Sequence, residues 1–248
     1  MGRGASKAGG IALIVPNVPT NAKVLTDTEA QQLRDLQNSM YDPNTTAAVK
    51  MYISNTNFDG QGHSLSQTMN FLEDEGVDLN NMDLKAVNSK YGLRLTPSDV
   101  ASMQYTSNYM AVATHALGQD AILQRGAHDD LLKNVFGISD YSKMSDSQLK
   151  SALVGKQFKN TSYMSTSYDV NKNPFLGSGS GVSGGREVVF NMKVGKNTKV
   201  LFGAKKQSEV IIGKGTQFKI TGVKYSGKTA TPRMGASKRQ IVIDVETF

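Results

Sequence analysis

The sequence contains no cysteine, which excludes disulfides, thiolate catalysis and cysteine-ligated zinc. Histidine is nearly as scarce. His63, His115 and His128 lie far apart, none forms an HExxH pair, and His128-Asp129-Asp130 reads most simply as a helix start, so no metal site is expected. No apolar run approaches the roughly 18 to 20 residues that a membrane-spanning helix needs, and no membrane partner is expected. Acidic residues are sparse in one region: Arg186 to Gln240 holds 13 basic residues against only Glu187 and Glu209. That local +11 leaves −4 on the rest of a chain whose net charge is +7. An anionic ligand or partner would be drawn to this region, although for the charge alone a solvated strand face is the better reading.

What is present is an ordinary globular composition, with 38% hydrophobic and 20% charged residues over 248 positions. One large domain, or a compact domain with a helical extension, fits this length. The amino end, Met1 to Pro19, has one early arginine and the short run Ile11 to Val15 closed by Pro16. It is too short and too glycine-flanked for a secretory signal and reads as part of a flexible arm over 1–25. The expected locations are therefore cytoplasmic, virion-associated or delivered into a target cell.

Helix signals dominate to about residue 155. Thr26 to Glu29, Ser64 to Gln67 and Ser145 to Gln148 fit the capping box, and Asp42-Pro43 and Thr96-Pro97 place a cap before a proline at the first helical position. From Thr96, apolar and small residues recur at helical spacing as far as Leu117, with Gly118 as the stop. Afterwards the period shortens. Phe158 to Ser167, Glu187 to Val194, Thr198 to Phe202, Glu209 to Ile212, Gln217 to Tyr225 and Gln240 to Val245 read as strands, with a glycine- and serine-rich stretch at Asn173 to Gly185. Helices first and strands later predict an α+β fold, with a helical region over 26–95 and a core over 96–248.

Two glycine-rich runs imitate phosphate-binding motifs. Gly222 to Thr229 spells a P-loop, but Pro232 follows within three residues and too little chain remains for a nucleotide-binding sheet, so a lysine-bearing hairpin turn is the better reading. Gly179 to Gly184 spells a dinucleotide fingerprint yet opens onto a strand where that motif needs a helix.

Three segments carry more chemistry: Ile122 to Gly126, Tyr163 to Ser167 and Lys206 to Ile212. Alternate strand residues share a face, which aligns Ser165 with Ser167 and Gln207 with Glu209. An arginine before a glycine offers a phosphate fork beside a backbone that a ligand can approach closely. Each segment alone is commonplace; their order and spacing are not.

This ordered set resembles the mono-ADP-ribosyltransferase exoenzymes of the arginine, serine, glutamate class, which include the Rho-modifying clostridial exoenzymes and actin-modifying toxins. The resemblance covers roughly residues 100 to 247. It implies two small, mostly antiparallel sheets forming a cleft for NAD, with NAD as co-substrate and no metal. It assigns Arg125 to phosphate, the Gly126 backbone to the nicotinamide amide, and Ser165, Thr166 and Ser167 to the family's serine-threonine-serine strand. Ser165 would orient the catalytic carboxylate of Glu209, and Gln207 would position the acceptor side chain of a protein. Glutamine at that place accompanies acceptors other than arginine. Asn173 to Gly185 corresponds to the loop over the phosphates and Phe202 to Lys206 to the substrate-recognition turn. Gly213 to Phe218 resembles the family's Leu-Pro-x-Gly-Thr segment with its proline replaced.

Two other classes compete. A catalytically silent structural protein, in a virion or another larger assembly, would keep the fold without turnover. A nucleic-acid binder would use the local +11 and lose affinity steeply with salt, but the chain has no recognisable reading motif.

Overall fold

The computed structural model describes residues 19–54, 56–59, 61–169, 186–230 and 237–248. In chain order it runs β1 (Lys23–Val24), α1 (Asp27–Ser39), α2 (Pro43–Ile53), α3 (Leu65–Asp74), α4 (Leu84–Tyr91), α5 (Pro97–Ala113), β2 (His115–Ala116), β3 (Ala121–Ala127), α6 (Asp130–Phe136), α7 (Asp146–Leu153), β4 (Gln157–Lys159), β5 (Met164–Ser167), β6 (Val188–Val194), β7 (Lys199–Phe202), β8 (Glu209–Ile212), β9 (Gln217–Ala230) and β10 (Lys238–Thr247). The expected α+β class is what forms.

The capping signals act as their chemistry requires. Thr26, Ser64 and Ser145 each accept from the amide three residues on, and Glu29, Gln67 and Gln148 return the bond to the cap backbone. Thr96 does the same with Asp99 at the start of α5.

The strands run β2-β7-β8-β5-β3-β6-β10-β9-β4, with β1 added beside β3. This continuous order is two leaves in effect, because β3 and β5 share a single residue pair, Gln124 opposite Ser167. One leaf is β2-β7-β8-β5 and the other is β3-β6-β10-β9-β4. Pairing is antiparallel except for β6 with β10 and β1 with β3.

Alternation along the strands divides the core. Val200, Phe202, Val210 and Ile212 of the first leaf join Leu123, Phe190, Met192, Ile241 and Ile243 of the second in one apolar cluster, completed by Ala30 of α1, Leu132 of α6 and Leu149 of α7. Leu201 and Ile211 point the other way. They join Tyr163 in a second cluster with Tyr52, Met69, Leu72, Met103 and Met110, so the helices before residue 95 pack directly on the first leaf.

Several expectations change. Helix α5 ends at Ala113 because His115 and Ala116 extend to pair with β7, while Gly118, at a φ of 85°, turns the chain into β3. The single strand expected over Phe158 to Ser167 is broken. Its first part, β4, pairs with β9 and its second, β5, with β8. Asn160 holds the break, its side-chain amide donating to the carbonyls of Ser162 and Gly213. Gly222 to Thr229 lies within β9 and not at a hairpin turn. Of the arm expected over 1–25, the end is fixed: the amides of Thr20 and Asn21 donate to Asp120 Oδ2, and Lys23–Val24 pair with β3.

Candidate active site

Glu209 opens β8 just after a tight turn. Gly203 N donates to Glu209 O at 3.1 Å, and Glu209 N donates to Ala204 O at 3.3 Å. Between them Lys205–Gln207 form a 3₁₀ turn, and Ser208 takes a left-handed φ of 49° to bring the chain back. A non-glycine residue in this region stores backbone strain. Gln207 therefore sits on a turn, and the expected sharing of one strand face with Glu209 does not hold.

The Glu209 side chain is 6% exposed. Its Oε2 accepts from the Ala204 amide at 2.9 Å, which offsets part of the cost of burying a carboxylate. Its Oε1 makes no hydrogen bond among the described residues. Glycine at 203 makes this placement possible, since a Cβ there would stand 2.2 Å from Oε2 and 2.9 Å from Cγ.

On β5, Ser167 lies opposite Glu209, Thr166 opposite Val210 and Ser165 opposite Ile211. Ser165 makes no hydrogen bond to Glu209, contrary to the orienting role expected for it, and Ser167 is the cross-strand neighbour. Ser167 Oγ donates to Gln207 O at 3.4 Å and accepts from Asp169 N at 3.2 Å, tying the turn to β5. Thr166 faces the inter-leaf core, fully buried, and its hydroxyl donates to Val210 O at 2.6 Å. Its side chain is thus on the opposite face from Ser165 and Ser167.

Arg125 stands where the leaves part, one residue beyond the Gln124–Ser167 pair. Its Nη1 donates to Ser165 O at 2.7 Å, crossing the gap that β3 and β5 no longer bridge. Burial lowers its pKa from the ordinary guanidinium value, while Tyr52, Asp74 and Glu209 raise it and Arg186 lowers it further. Glu209 is thus among the charges that act on Arg125. Gly126 follows with no Cβ to obstruct a ligand.

Sequence reasoning missed four participants. Tyr52 and Asn70 exchange hydrogen bonds at 3.0 and 3.1 Å, and Asn70 Nδ2 donates to Tyr163 O at 3.1 Å, capping β5 two residues before the carbonyl that Arg125 holds. Asp74 and Arg186 add charge near Arg125. Only Arg186 carried a signal, as the basic residue closing the glycine- and serine-rich run. Asn173 to Gly185 and Gly179 to Gly184 lie outside the described residues.

The fit to NAD rests on this geometry: a half-buried guanidinium and a side-chain-free glycine on one leaf, and on the other a buried carboxylate with an uncommitted oxygen. Among the described residues no group of three or more His, Asp or Glu is placed to hold a metal, and no helix is long and apolar enough to cross a membrane.

Two leaves parting around an arginine, a hydroxyl-bearing strand and a buried glutamate define the class of NAD-dependent protein mono-ADP-ribosyltransferases. The chain matches the ADP-ribosyltransferase exoenzyme family over residues 110–248 and belongs to it. No curated protein matches the sequence. Among solved structures, the Clostridium limosum C3 exoenzyme superposes with a TM-score of 0.58 at 17% identity, covering 92% of this chain and 98% of that one. C3stau2 from S. aureus with NAD gives 0.55 at 17% identity, covering 92% and 99%. The enzymatic component C2-I of the Clostridium botulinum C2 toxin gives 0.57 at 15% identity, covering 88% of this chain and 47% of that one. The chain thus spans about half of C2-I and nearly the whole of the C3 exoenzymes. At these identities the likeness is one of fold.

Proposed function

We propose that this protein transfers ADP-ribose from NAD to a side chain of a protein acceptor other than arginine. The observation that carries this reading is the Glu209 carboxylate, buried beside Ala204 N–H with Oε1 uncommitted and within the field of Arg125. In the reaction the bond from the ribose anomeric carbon to the nicotinamide nitrogen breaks, and its electron pair leaves with nicotinamide. The acceptor heteroatom then bonds to that carbon and loses a proton. A fixed carboxylate at Glu209 stabilises the positive charge that develops on the ribose, and its exclusion from water strengthens the effect.

Arg125 does two things at once: it pins β5 through Ser165 O and offers its remaining N–H groups to the pyrophosphate. Gly126 presents backbone to the nicotinamide amide. Ser165 contributes its hydroxyl at the cleft, Ser167 fixes the turn, and Thr166 acts from the core by holding β5 to β8. Gln207, half-buried on the turn, makes no side-chain hydrogen bond among the described residues and is available to an acceptor side chain.

Incubation with labelled NAD and a cell lysate tests the proposal. Label should appear on protein with wild type and be lost with Glu209→Ala, agmatine should be a poor acceptor, and NAD hydrolysis by water should be slow. Undiminished transfer by Glu209→Ala, or no NAD binding by calorimetry, counts against it.

A further inference from the structure

At the end of the first leaf remote from Glu209, β7 begins with Lys199 and β8 gives way to a turn, Gly213 to Thr216. A cavity of about 360 Å³ opens there between this turn and the carboxyl half of α5. Its polar walls are Ser107, Asn108, Thr114, Tyr163, Lys199 and Lys214, and no carboxylate lines it. The Thr114 hydroxyl donates to Ala111 O at 3.2 Å, and the other five side chains, two of them cationic, have donors to offer one space.

The cations differ in how they are held. Lys214 ion-pairs with Glu73, receives support from Ser107 Oγ at 3.2 Å and lies 4.6 Å from the centroid of the Tyr163 ring. Lys199 is exposed and makes no ion pair among the described residues. Burial pushes the Tyr163 phenol well above its ordinary pKa, so it remains an O–H donor. Glu73 offsets the charge of Lys214 and leaves that of Lys199 in excess.

We propose that this cavity is a binding site for a phosphate group, separate from the cleft of Arg125 and Glu209, with Lys199 and Lys214 as its charge and Asn108 and Ser107 as its neutral donors. A tetrahedral oxyanion suits a cluster of donors in which, among the described residues, Lys199 has no carboxylate partner and Lys214 is shared with Glu73 alone, and the volume leaves room for the small organic body of a phosphomonoester. The site backs onto β5, because its Tyr163 wall immediately precedes the strand that carries Ser165.

The test is calorimetric titration of the full chain with inorganic phosphate and, separately, glycerol 3-phosphate, at constant ionic strength against chloride. Wild type should bind phosphate in both arms, and tighter binding of glycerol 3-phosphate would identify the ester as the fitting form. Lys199→Gln and Asn108→Asp, both at exposed positions, should each weaken phosphate binding roughly tenfold or more while leaving NAD binding unchanged. Phosphate bound equally well by wild type and both variants, or not bound by wild type, overturns the proposal. Either result leaves the assignment of the NAD cleft standing, since that rests on Glu209.

Discussion

The carboxylate of Glu209 lies over the α-carbon of Gly203, so close that a methyl group at 203 would meet Oε2 at 2.2 Å, Cδ at 2.7 Å and Cγ at 2.9 Å. Three atoms of one side chain crowd that spot, and a small rotation cannot relieve them all. Gly203→Ala should therefore expel the carboxylate from its bond with Ala204 N and lower the rate of ADP-ribose transfer roughly tenfold or more, with little loss of stability. Initial-rate assays with labelled NAD, read beside thermal unfolding, check both halves of the expectation.

Glu209→Gln keeps the shape and an oxygen that accepts from Ala204 N, but removes the charge. If electrostatic stabilisation is the role of this residue, transfer should fall roughly 100-fold or more while calorimetric NAD binding persists. Loss of binding in step with rate would instead mark a residue that only holds the ground state.

Gln37 closes an open sheet edge. Its Nε2 donates to Val200 O at 3.0 Å, where β2 ends at the His115–Val200 pair, and its Oε1 accepts from Phe202 N at 3.0 Å, which lies beyond the reach of β2. Gln37→Leu should cost about 2 to 4 kcal/mol in denaturant unfolding, because two backbone groups lose their partners away from water.

Gly213 stands where the family pattern has proline. Its amide donates to Lys199 O at 2.8 Å, a bond that proline cannot make, and a Cβ would approach that oxygen to 3.1 Å. Gly213→Pro should lower stability by about 1 to 2 kcal/mol and shift the unfolding midpoint without changing the denaturant slope.

Acid should loosen the start of α1. The hydrogen bond from Lys23, then those from the backbone and hydroxyl of Thr26, lower the pKa of Glu29 from 4.5 to about 2. The folded pKa is below the unfolded one, so this contribution is complete above pH 4.5 and disappears as pH falls towards 2. The difference in unfolding temperature between wild type and Glu29→Gln should be present at neutral pH and vanish near pH 2.

Much of the fold could be read from local chemistry. Each capping box marked a helix start, and Glu209 to Ile212 formed the strand its composition suggested, because these signals are settled within a few residues. Interactions distant in sequence overrode the rest. The period from Thr96 continued past Ala113, but pairing of His115 and Ala116 with β7 ended the helix sooner. The apolar run from Phe158 looked like one strand until Asn160 tied the break between two leaves. At the site, order and spacing singled out Arg125, Ser165 and Glu209, but the register that sets Ser167 and not Ser165 opposite Glu209 could not be read from them. Gln207 was placed on a strand because alternation was assumed through a turn. Tyr52 and Asn70 had no signal, because they come from helices and reach the start of β5 only through tertiary packing.

The joint between the leaves is one rung, Gln124 with Ser167, and the reactive groups stand next to it. On a door, the edge far from the hinge travels and the part beside the pin hardly moves. Here the two leaves also share one apolar cluster, so any such swing would have to shear it, and Arg125 and Glu209 stand beside the rung where the shear is least.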